Sequence, residues 1–284
     1  MKKWTDDIVP RLLLLCFAVL PLLLGLGYAL LYSFGIVGTL STGVTTLYWA
    51  AAFRSGGLIS SFVYSIYLSI VSISLCSFCG LWLACHMRDR LRQGTLSYFI
   101  YLPMAFPAVV TAFFFLQFLS NAGFLSRVLY LLGWVHTAAA FPGLVNDRHD
   151  IGIIMAQFFL TLPVFVLLFL SVIENENLRG LTQIAQTLGA GSRQTWWRLT
   201  LPLLVKKSAP TLVLYFIFKL GSYEVPLLLG RSSPETISVL TVRKMQRFNL
   251  LDIPQGYAIA VLYAMVVMLL LIVSLKPSKQ ETYV

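Results

Sequence analysis

The stretch from Gln183 to Pro202 reads Gln-Ile-Ala-Gln-Thr-Leu-Gly-Ala-Gly-Ser-Arg-Gln-Thr-Trp-Trp-Arg-Leu-Thr-Leu-Pro. Apolar side chains recur at helical spacing through its first half and just before it. They are Leu178, Leu181, Ile184, Ala185 and Leu188. Gly189 is expected to end this helix by turning through positive φ, and Ser192 is the expected N-cap of a second short helix. With Pro202 marking the bend that follows, the stretch predicts a helix–turn–helix elbow.

The rest of the chain is much more apolar than this stretch. Of its 284 residues, 58% are apolar and 11% are charged, whereas soluble domains carry about 45–50% apolar and about 25% charged residues. The 21 Lys and Arg exceed the 11 Asp and Glu, which gives a net charge of +10. This composition excludes a disordered protein and most soluble enzymes and predicts a multi-pass membrane protein. The cations are scattered between apolar runs, so they indicate membrane orientation and no nucleic-acid partner.

Six apolar runs are long enough to cross a membrane, because a spanning helix needs about 20 residues. They cover about 12–34, 62–85, 98–119, 151–173, 209–229 and 257–275. The first is longer than a signal-peptide core and is interpreted as a retained span. The elbow lies in the loop 174–208, between the fourth and fifth runs. The sequence therefore predicts an all-α integral membrane protein with a single transmembrane domain over residues 1–284.

The distribution of cations predicts the orientation of the chain. The side that holds both termini and the loop 174–208 carries 13 Lys and Arg, and the other side carries seven. The positive-inside rule therefore places both termini and the elbow in the cytoplasm. Three of the seven opposing cations are Arg243, Lys244 and Arg247, and a tilted or interfacial segment at 240–250 would accommodate them.

Composition alone leaves open that the elbow is an amphipathic segment that lies on acidic lipid. The order of its residues adds a resemblance. The stretch resembles the Glu-Ala-Ala loop of permease subunits in bacterial ATP-binding-cassette (ABC) importers. The matching residues are Gln-Ile-Ala from position 183, Gly189 and, after nine intervening residues, Leu-x-Leu-Pro ending at Pro202. The loop also lies where that family keeps it, and the topology is similar over roughly 60–275. Two positions depart from the pattern: Gln183 replaces Glu and loses the charge, and Ile184 replaces Ala and adds bulk.

The resemblance implies a type I importer permease in a bacterial inner membrane, with the elbow as a coupling helix. It implies that two separate ATPase subunits hold ATP and Mg, so this chain has no cofactor of its own and is not an enzyme. The other implied partners are a second permease, homologous or identical, a periplasmic or lipid-anchored binding protein, and membrane lipid. The residues implied to contact the ATPase are Gln183, Ile184, Ala185, Leu188, Gly189, Ala190, Leu199, Leu201 and Pro202.

The fifth run carries the candidate translocation residues. The segment from Gly221 to Gly230 resembles the one after the loop in importers of the spermidine/putrescine and ferric-iron type. Tyr223 takes the place of a Phe in that pattern, and Pro226 matches its proline. Charge at membrane depth usually faces a cavity or a partner, which favours a pathway role for Lys219 and Glu224. The alternative is that either side chain snorkels to the interface.

Other functional classes find little support in the sequence. No Gly-x-x-x-x-Gly-Lys phosphate loop occurs, and no nucleophile and base are suitably placed for an enzyme. No metal site is expected, because Cys76 and Cys79 lack a second ligand pair. The main rival is a secondary transporter or channel that uses Lys219 and Glu224 without an ATPase. For the substrate, Glu224 favours a cation such as a polyamine, a metal or thiamine, and Lys219 favours an anion such as a phosphonate or sulfate.

Overall fold

The structure is a computed structural model that describes residues 10, 13–38, 41, 43–87, 96–137 and 140–274, and these ranges contain helices and no strand. We number the helices in chain order. They are α1 (Leu15–Ser33), α2 (Leu47–Arg54), α3 (Gly57–His86), α4 (Leu96–Tyr101), α5 (Ala108–Leu119), α6 (Phe124–Leu131), α7 (Ile151–Asn175), α8 (Leu178–Thr187), α9 (Ser192–Leu220), α10 (Glu224–Leu229), α11 (Ile237–Met245) and α12 (Asp252–Ser274).

Six candidate membrane spans lie in the described residues. They are α1, α3, α5 with α6, α7, α9 and α12, and each is long and apolar enough to cross a bilayer. Each overlaps one of the six predicted runs, so the all-α membrane class with six spans is confirmed. The start of the first run at residue 12 and the end of the last at 275 lie outside the described residues.

The third and fifth spans have boundaries that differ from the prediction. The third was expected over 98–119, but α4 and a 3-10 turn over Leu102–Ala105 precede Pro107, and α5 begins only at Ala108. A residue before proline is pushed out of the helical region, and Phe106 accordingly has φ −92° and ψ 127°. The fifth was expected over 209–229, but α9 already begins at Ser192 and ends at Leu220.

The chain divides into two compact units. The first comprises residues 1–62 and 237–270. Its described core consists of Ala52, Leu58, Ile237, Leu240 and Ile259. The rings of Tyr32 and Tyr257 join α1 to α12, with centroids 4.4 Å apart. The prediction of a single domain over 1–284 stays a prediction.

The second unit comprises residues 63–236 and 271–284 and holds the candidate site. It has two apolar clusters. One packs α10 against α3, α5 and α7 and includes Leu68, Phe115, Leu119, Ile153 and Leu229. The other lies at the elbow end and includes Cys76, Phe165, Phe169, Leu178 and Leu204. Helices α3 and α7 approach closely at Gly80, where a Cβ would lie 3.0 Å from Cβ of Phe165.

Candidate functional site: the elbow and the interrupted fifth span

The elbow begins with a tight reversal after α7. Asn177 adopts a left-handed conformation with φ 44°, and α8 starts at the next residue. The first residue of α8, Leu178, is buried in the elbow-end apolar cluster. Nζ of Lys207 on α9 lies 2.7 Å from Oε1 of Glu176 in the reversal. An apolar anchor and an ion pair therefore fix the base of α8 to the spans beside it.

Helix α8 carries an exposed apolar edge, which we define as Leu181, Ile184 and Leu188. These side chains are 40%, 59% and 83% exposed, respectively. The helical spacing predicted for them is confirmed by α8, and Leu178 on the same face points into the core instead. Helix α8 thus has a buried end and an apolar edge that nothing in the described residues covers.

The turn after α8 is a Schellman motif. Gly189 has φ 90°, as predicted from the sequence. Its N–H donates to the carbonyl of Gln186 at 3.0 Å, and the N–H of Ala190 donates to the carbonyl of Ala185 at 3.0 Å. These two bonds satisfy carbonyls that the helix end would otherwise leave unpaired. A side chain at Gly189 would enter open space, so the requirement for glycine comes from the backbone alone.

The second half of the elbow differs from the prediction. Ser192 is not the N-cap: Gly191 precedes the helix in extended conformation, and no side chain caps it. The short helix expected to bend at Pro202 continues directly into the membrane span as α9. A π-helical turn over Trp196–Thr200 precedes Pro202, and the N–H of Leu201 donates to the carbonyl of Trp196. This wider turn accommodates a proline that has no N–H to donate, so the helix continues.

The fifth span is interrupted after Leu220. Gly221 is the C-cap of α9, and α10 starts at Glu224. Lys219 lies in the last turn of α9 and Glu224 in the first turn of α10. A cation is favoured at a helix C-terminus and an anion at an N-terminus, so both charges complement the helix ends at the break. This gives a structural reason for two charges inside an apolar run.

The structure buries Lys219 inside the second unit. The side chain is 8% exposed. Among the described residues, no carboxylate pairs with Lys219. Tyr223 and Glu224 are partly exposed, whereas Pro226 is buried. The four candidate pathway residues therefore lie around one break but have different environments.

Sequence reasoning missed a polar cluster at the opposite end of the second unit, which we call the Asp150 cluster. The hydroxyl of Tyr64 on α3 donates to Oδ1 of Asp150 at 2.6 Å. Arg231, just beyond α10, places Nη2 3.8 Å from Oδ2 of Asp150 and its guanidinium 5.4 Å from the centre of the Tyr64 ring. Asp150 is 2% exposed. Its burial raises the pKa of its carboxyl, and the Tyr64 hydroxyl and Arg231 oppose that rise.

Cations expected on the side opposite the termini are partly paired within the first unit. Nζ of Lys244 lies 2.9 Å from Oδ1 of Asp252 and donates to Oε1 of Gln255 at 2.9 Å. Nη1 of Arg247 lies 3.4 Å from Oδ2 of the same aspartate. Asp252 therefore pairs with two of the three clustered cations in this segment. In the described residues, no group of three His, Cys, Asp or Glu is placed to hold a metal ion.

Six spans, an elbow between the fourth and fifth, and an interrupted fifth span define a multi-pass membrane protein. The chain belongs to the family described as binding-protein-dependent transport system inner membrane components, whose family model matches residues 77–276. It is thus a permease subunit of an ABC importer and a multi-pass inner-membrane protein. This membership decides against the secondary transporter or channel considered from the sequence.

Individual relatives agree with this assignment. The molybdenum transport system permease protein ModB of Azotobacter vinelandii is 26% identical over 63% of this chain and 74% of its own length. The sulfate transport system permease protein CysT of Synechocystis sp. is 30% identical over 64% of this chain and 66% of its own length. The spermidine/putrescine transport system permease protein PotB of Escherichia coli K12 is 23% identical over 76% of this chain and 77% of its own length.

The fold is also similar to a solved structure. A chain in the crystal structure of a bacterial alginate ABC transporter, in complex with an alginate pentasaccharide-bound periplasmic protein, superposes with a TM-score of 0.69. The identity is 19%, over 95% of this chain and 92% of that chain. At this identity the likeness concerns the fold.

Proposed function

We propose that the elbow docks on a separate ATPase subunit and transmits its motion to the membrane spans of this permease. The observation that carries this proposal is the exposed apolar edge of α8. An uncovered apolar edge on a helix outside the apolar spans is typical of a surface that a partner covers. The edge ends at the tight turn through Gly189, which fixes the backbone conformation there. A complementary cleft on the ATPase would therefore bind a surface of fixed shape.

The connections of α8 support a mechanical role. At its start, Leu178 is packed in the apolar cluster among α3, α7 and α9. At its end, only the short turn through Gly189 separates it from α9, which continues into the fifth span. A displacement of α8 therefore reaches the spans from both ends.

The nine residues expected to contact the ATPase lie in two parts of the elbow. Gln183, Ile184, Ala185, Leu188, Gly189 and Ala190 are on α8 and its turn, and Leu199, Leu201 and Pro202 are on α9. We assign the direct contact to the first part. The second part forms the lever that continues into the membrane, and the neutral Gln183 makes that contact independent of an ion pair.

The translocation pathway forms beside the break in the fifth span, with Tyr223 and Glu224 facing it. A pathway between two permease subunits is lined by side chains that are exposed in one protomer, as these two partly are. Pro226 holds the start of α10 in the apolar core. Lys219 lies deeper, so its contact with a solute requires α9 to move relative to α3.

The complete importer contains two ATPase subunits, a second permease and a substrate-binding protein outside the membrane. ATP and Mg bind to the ATPases, and this chain has no cofactor. Both termini and the elbow face the cytoplasm, in agreement with the Lys and Arg count. The solved alginate transporter, which holds a periplasmic protein, supports the binding-protein partner.

The test is assembly of the transporter with a charge placed on α8. Leu188→Glu places a carboxylate on the apolar edge, and Gln186→Glu places the same group on an exposed position of another face of the same helix. We expect Leu188→Glu to abolish co-purification of the ATPase while the permease still inserts, and Gln186→Glu to retain it. Full ATPase recovery with Leu188→Glu would show that the edge is not the docking surface.

A further inference from the structure

A groove separates α8 from the start of α9. Its volume is about 310 Å³. Its lining includes Ala84, Ile173, Leu178, Arg179, Gln183 and Trp196. These residues come from the ends of α3 and α7, one side of α8 and the first turns of α9. The groove thus lies where three membrane spans end and the elbow begins.

The lining has two chemical parts. The floor is apolar, because Ala84, Ile173 and Leu178 are buried members of the elbow-end cluster. Arg179 and Gln183 are exposed on the α8 side, and the lining residue Trp196 is partly exposed. An apolar slot beside a cation and a tryptophan fits a molecule with a hydrocarbon chain and an anionic head.

The segment that contributes most of the groove carries more cations than anions, and Arg179 is the cation that lines the groove. The segment 174–208 carries Arg179, Arg193, Arg198, Lys206 and Lys207, against two acidic residues. One of those two, Glu176, is paired with Lys207. Clusters of Lys and Arg directly beside a membrane span attract the anionic lipids of the cytoplasmic leaflet.

We propose that this groove is a binding site for one anionic phospholipid, with an acyl chain on the apolar floor and the phosphate at Arg179. The proposal rests on the cytoplasmic placement of the elbow in the proposed function and goes beyond ATPase docking. The lipid lies on the side of α8 that carries Arg179, whereas the apolar edge is left for the partner; of the residues assigned to the direct ATPase contact, Gln183 alone also lines the groove. A bound chain fills the space between α8 and α9, so that movement of one helix is passed to the other.

Adjacent tryptophans provide the experiment. Trp196 lines the groove, and Trp197 is 59% exposed and does not. The full chain in non-ionic detergent, without any ATPase, is titrated with phosphatidylglycerol brominated on its acyl chains. We expect saturable quenching of tryptophan fluorescence. Trp196→Phe should remove most of the saturable component, and Trp197→Phe should leave it.

A pair of arginines tests the head group. Arg179 lines the groove, whereas Arg193 is an exposed elbow cation outside it. Arg179→Gln should weaken phosphatidylglycerol binding about fivefold, the change expected for one cation near an anionic surface. Arg193→Gln should change it by less than about twofold. Brominated phosphatidylcholine should bind far more weakly than phosphatidylglycerol to the unaltered chain.

Three results would overturn the proposal. Quenching that rises without saturation and equally for both lipids would show simple partition into the micelle. Equal loss of quenching in Trp196→Phe and Trp197→Phe would place the lipid outside the groove. Displacement of the lipid by glycerol phosphate would show a phosphate site without a chain. Since no ATPase is present, failure of ATPase docking leaves this measurement unaffected, and the two proposals fail separately.

Discussion

The two ends of the second unit differ in what they expose and what they bury. At the elbow, the backbone turns are satisfied locally by the Schellman bonds at Gly189, while the apolar edge of α8 stays exposed. In the Asp150 cluster, a carboxylate is buried and its partners come from distant parts of the chain, Tyr64 and Arg231. The elbow therefore has its backbone hydrogen bonds satisfied, but its apolar edge is not covered by the described residues. In the Asp150 cluster, the carboxylate is paired within the protomer, and its partners connect α3, the start of α7 and the residue just beyond α10.

This difference indicates how changes at the two ends should be detected. Substitutions in the Asp150 cluster should lower the stability of the permease itself, because the Asp150 carboxylate is buried and paired. Substitutions on the exposed edge should leave the permease folded and change its assembly.

The largest effect is expected for Asp150→Ala. It leaves the Tyr64 hydroxyl and the Arg231 guanidinium without their partner, and we expect a loss of about 3 kcal/mol in the free energy of unfolding. Asp150→Asn keeps an acceptor for Tyr64, and because burial raises the pKa of this carboxyl, removing its charge should cost far less. Unfolding in detergent by sodium dodecyl sulfate titration measures both. If both variants lose the same free energy of unfolding, the charge of Asp150 stabilises the permease and its hydrogen bond with Tyr64 does not.

A smaller effect is expected for Tyr64→Phe. The change removes the donor of the 2.6 Å bond to Asp150 and keeps the aromatic ring beneath Arg231. Loss of a hydrogen bond to a buried charged group should lower the free energy of unfolding by about 2 kcal/mol. Tyr67→Phe on the same helix, at an exposed side chain, is the control and should be neutral. Comparable losses in both variants would show that the hydrogen bond between Tyr64 and Asp150 does not stabilise the permease specifically.

At the elbow, Gly189→Val should cost about 1 kcal/mol locally, because valine is strained at φ 90°. Gly191→Val is the matched control, since Gly191 has φ −69° and open space for a side chain. We expect Gly189→Val to abolish transport-coupled ATP hydrolysis with little change in permease stability, and Gly191→Val to retain it. Full coupled activity in Gly189→Val would contradict a fixed docking shape.

The smallest structural effect is expected at the break in the fifth span. Lys219→Met and Glu224→Gln should leave ATPase docking intact, because neither side chain is in the elbow. They should change the uptake rate in vesicles or the preference among solutes. The affinity of the isolated binding protein should stay the same. Normal uptake in both variants would leave Lys219 and Glu224 as charges that only complement the helix ends.

The parts of this fold that depend on local sequence were predictable. Six apolar runs predicted the six spans, and Gly189 followed from the requirement for positive φ after an amphipathic helix. The continuation of α9 through Pro202 was missed, because a π-helical turn is not visible in hydropathy or spacing. The Asp150 cluster was missed for another reason. Tyr64 and Asp150 are 86 positions apart, and their bond exists only after α3 and α7 pack together.

The central claim is that the exposed apolar edge of α8 is the surface an ATPase covers. The most direct measurement is the rate at which a water-soluble maleimide labels Leu188→Cys, with the four native cysteines replaced by serine, before and after the ATPase is added to the purified permease. We predict at least about a tenfold reduction in labelling on ATPase binding, while Gln186→Cys changes much less. Labelling of Leu188→Cys that is unchanged by a demonstrably bound ATPase would contradict the claim.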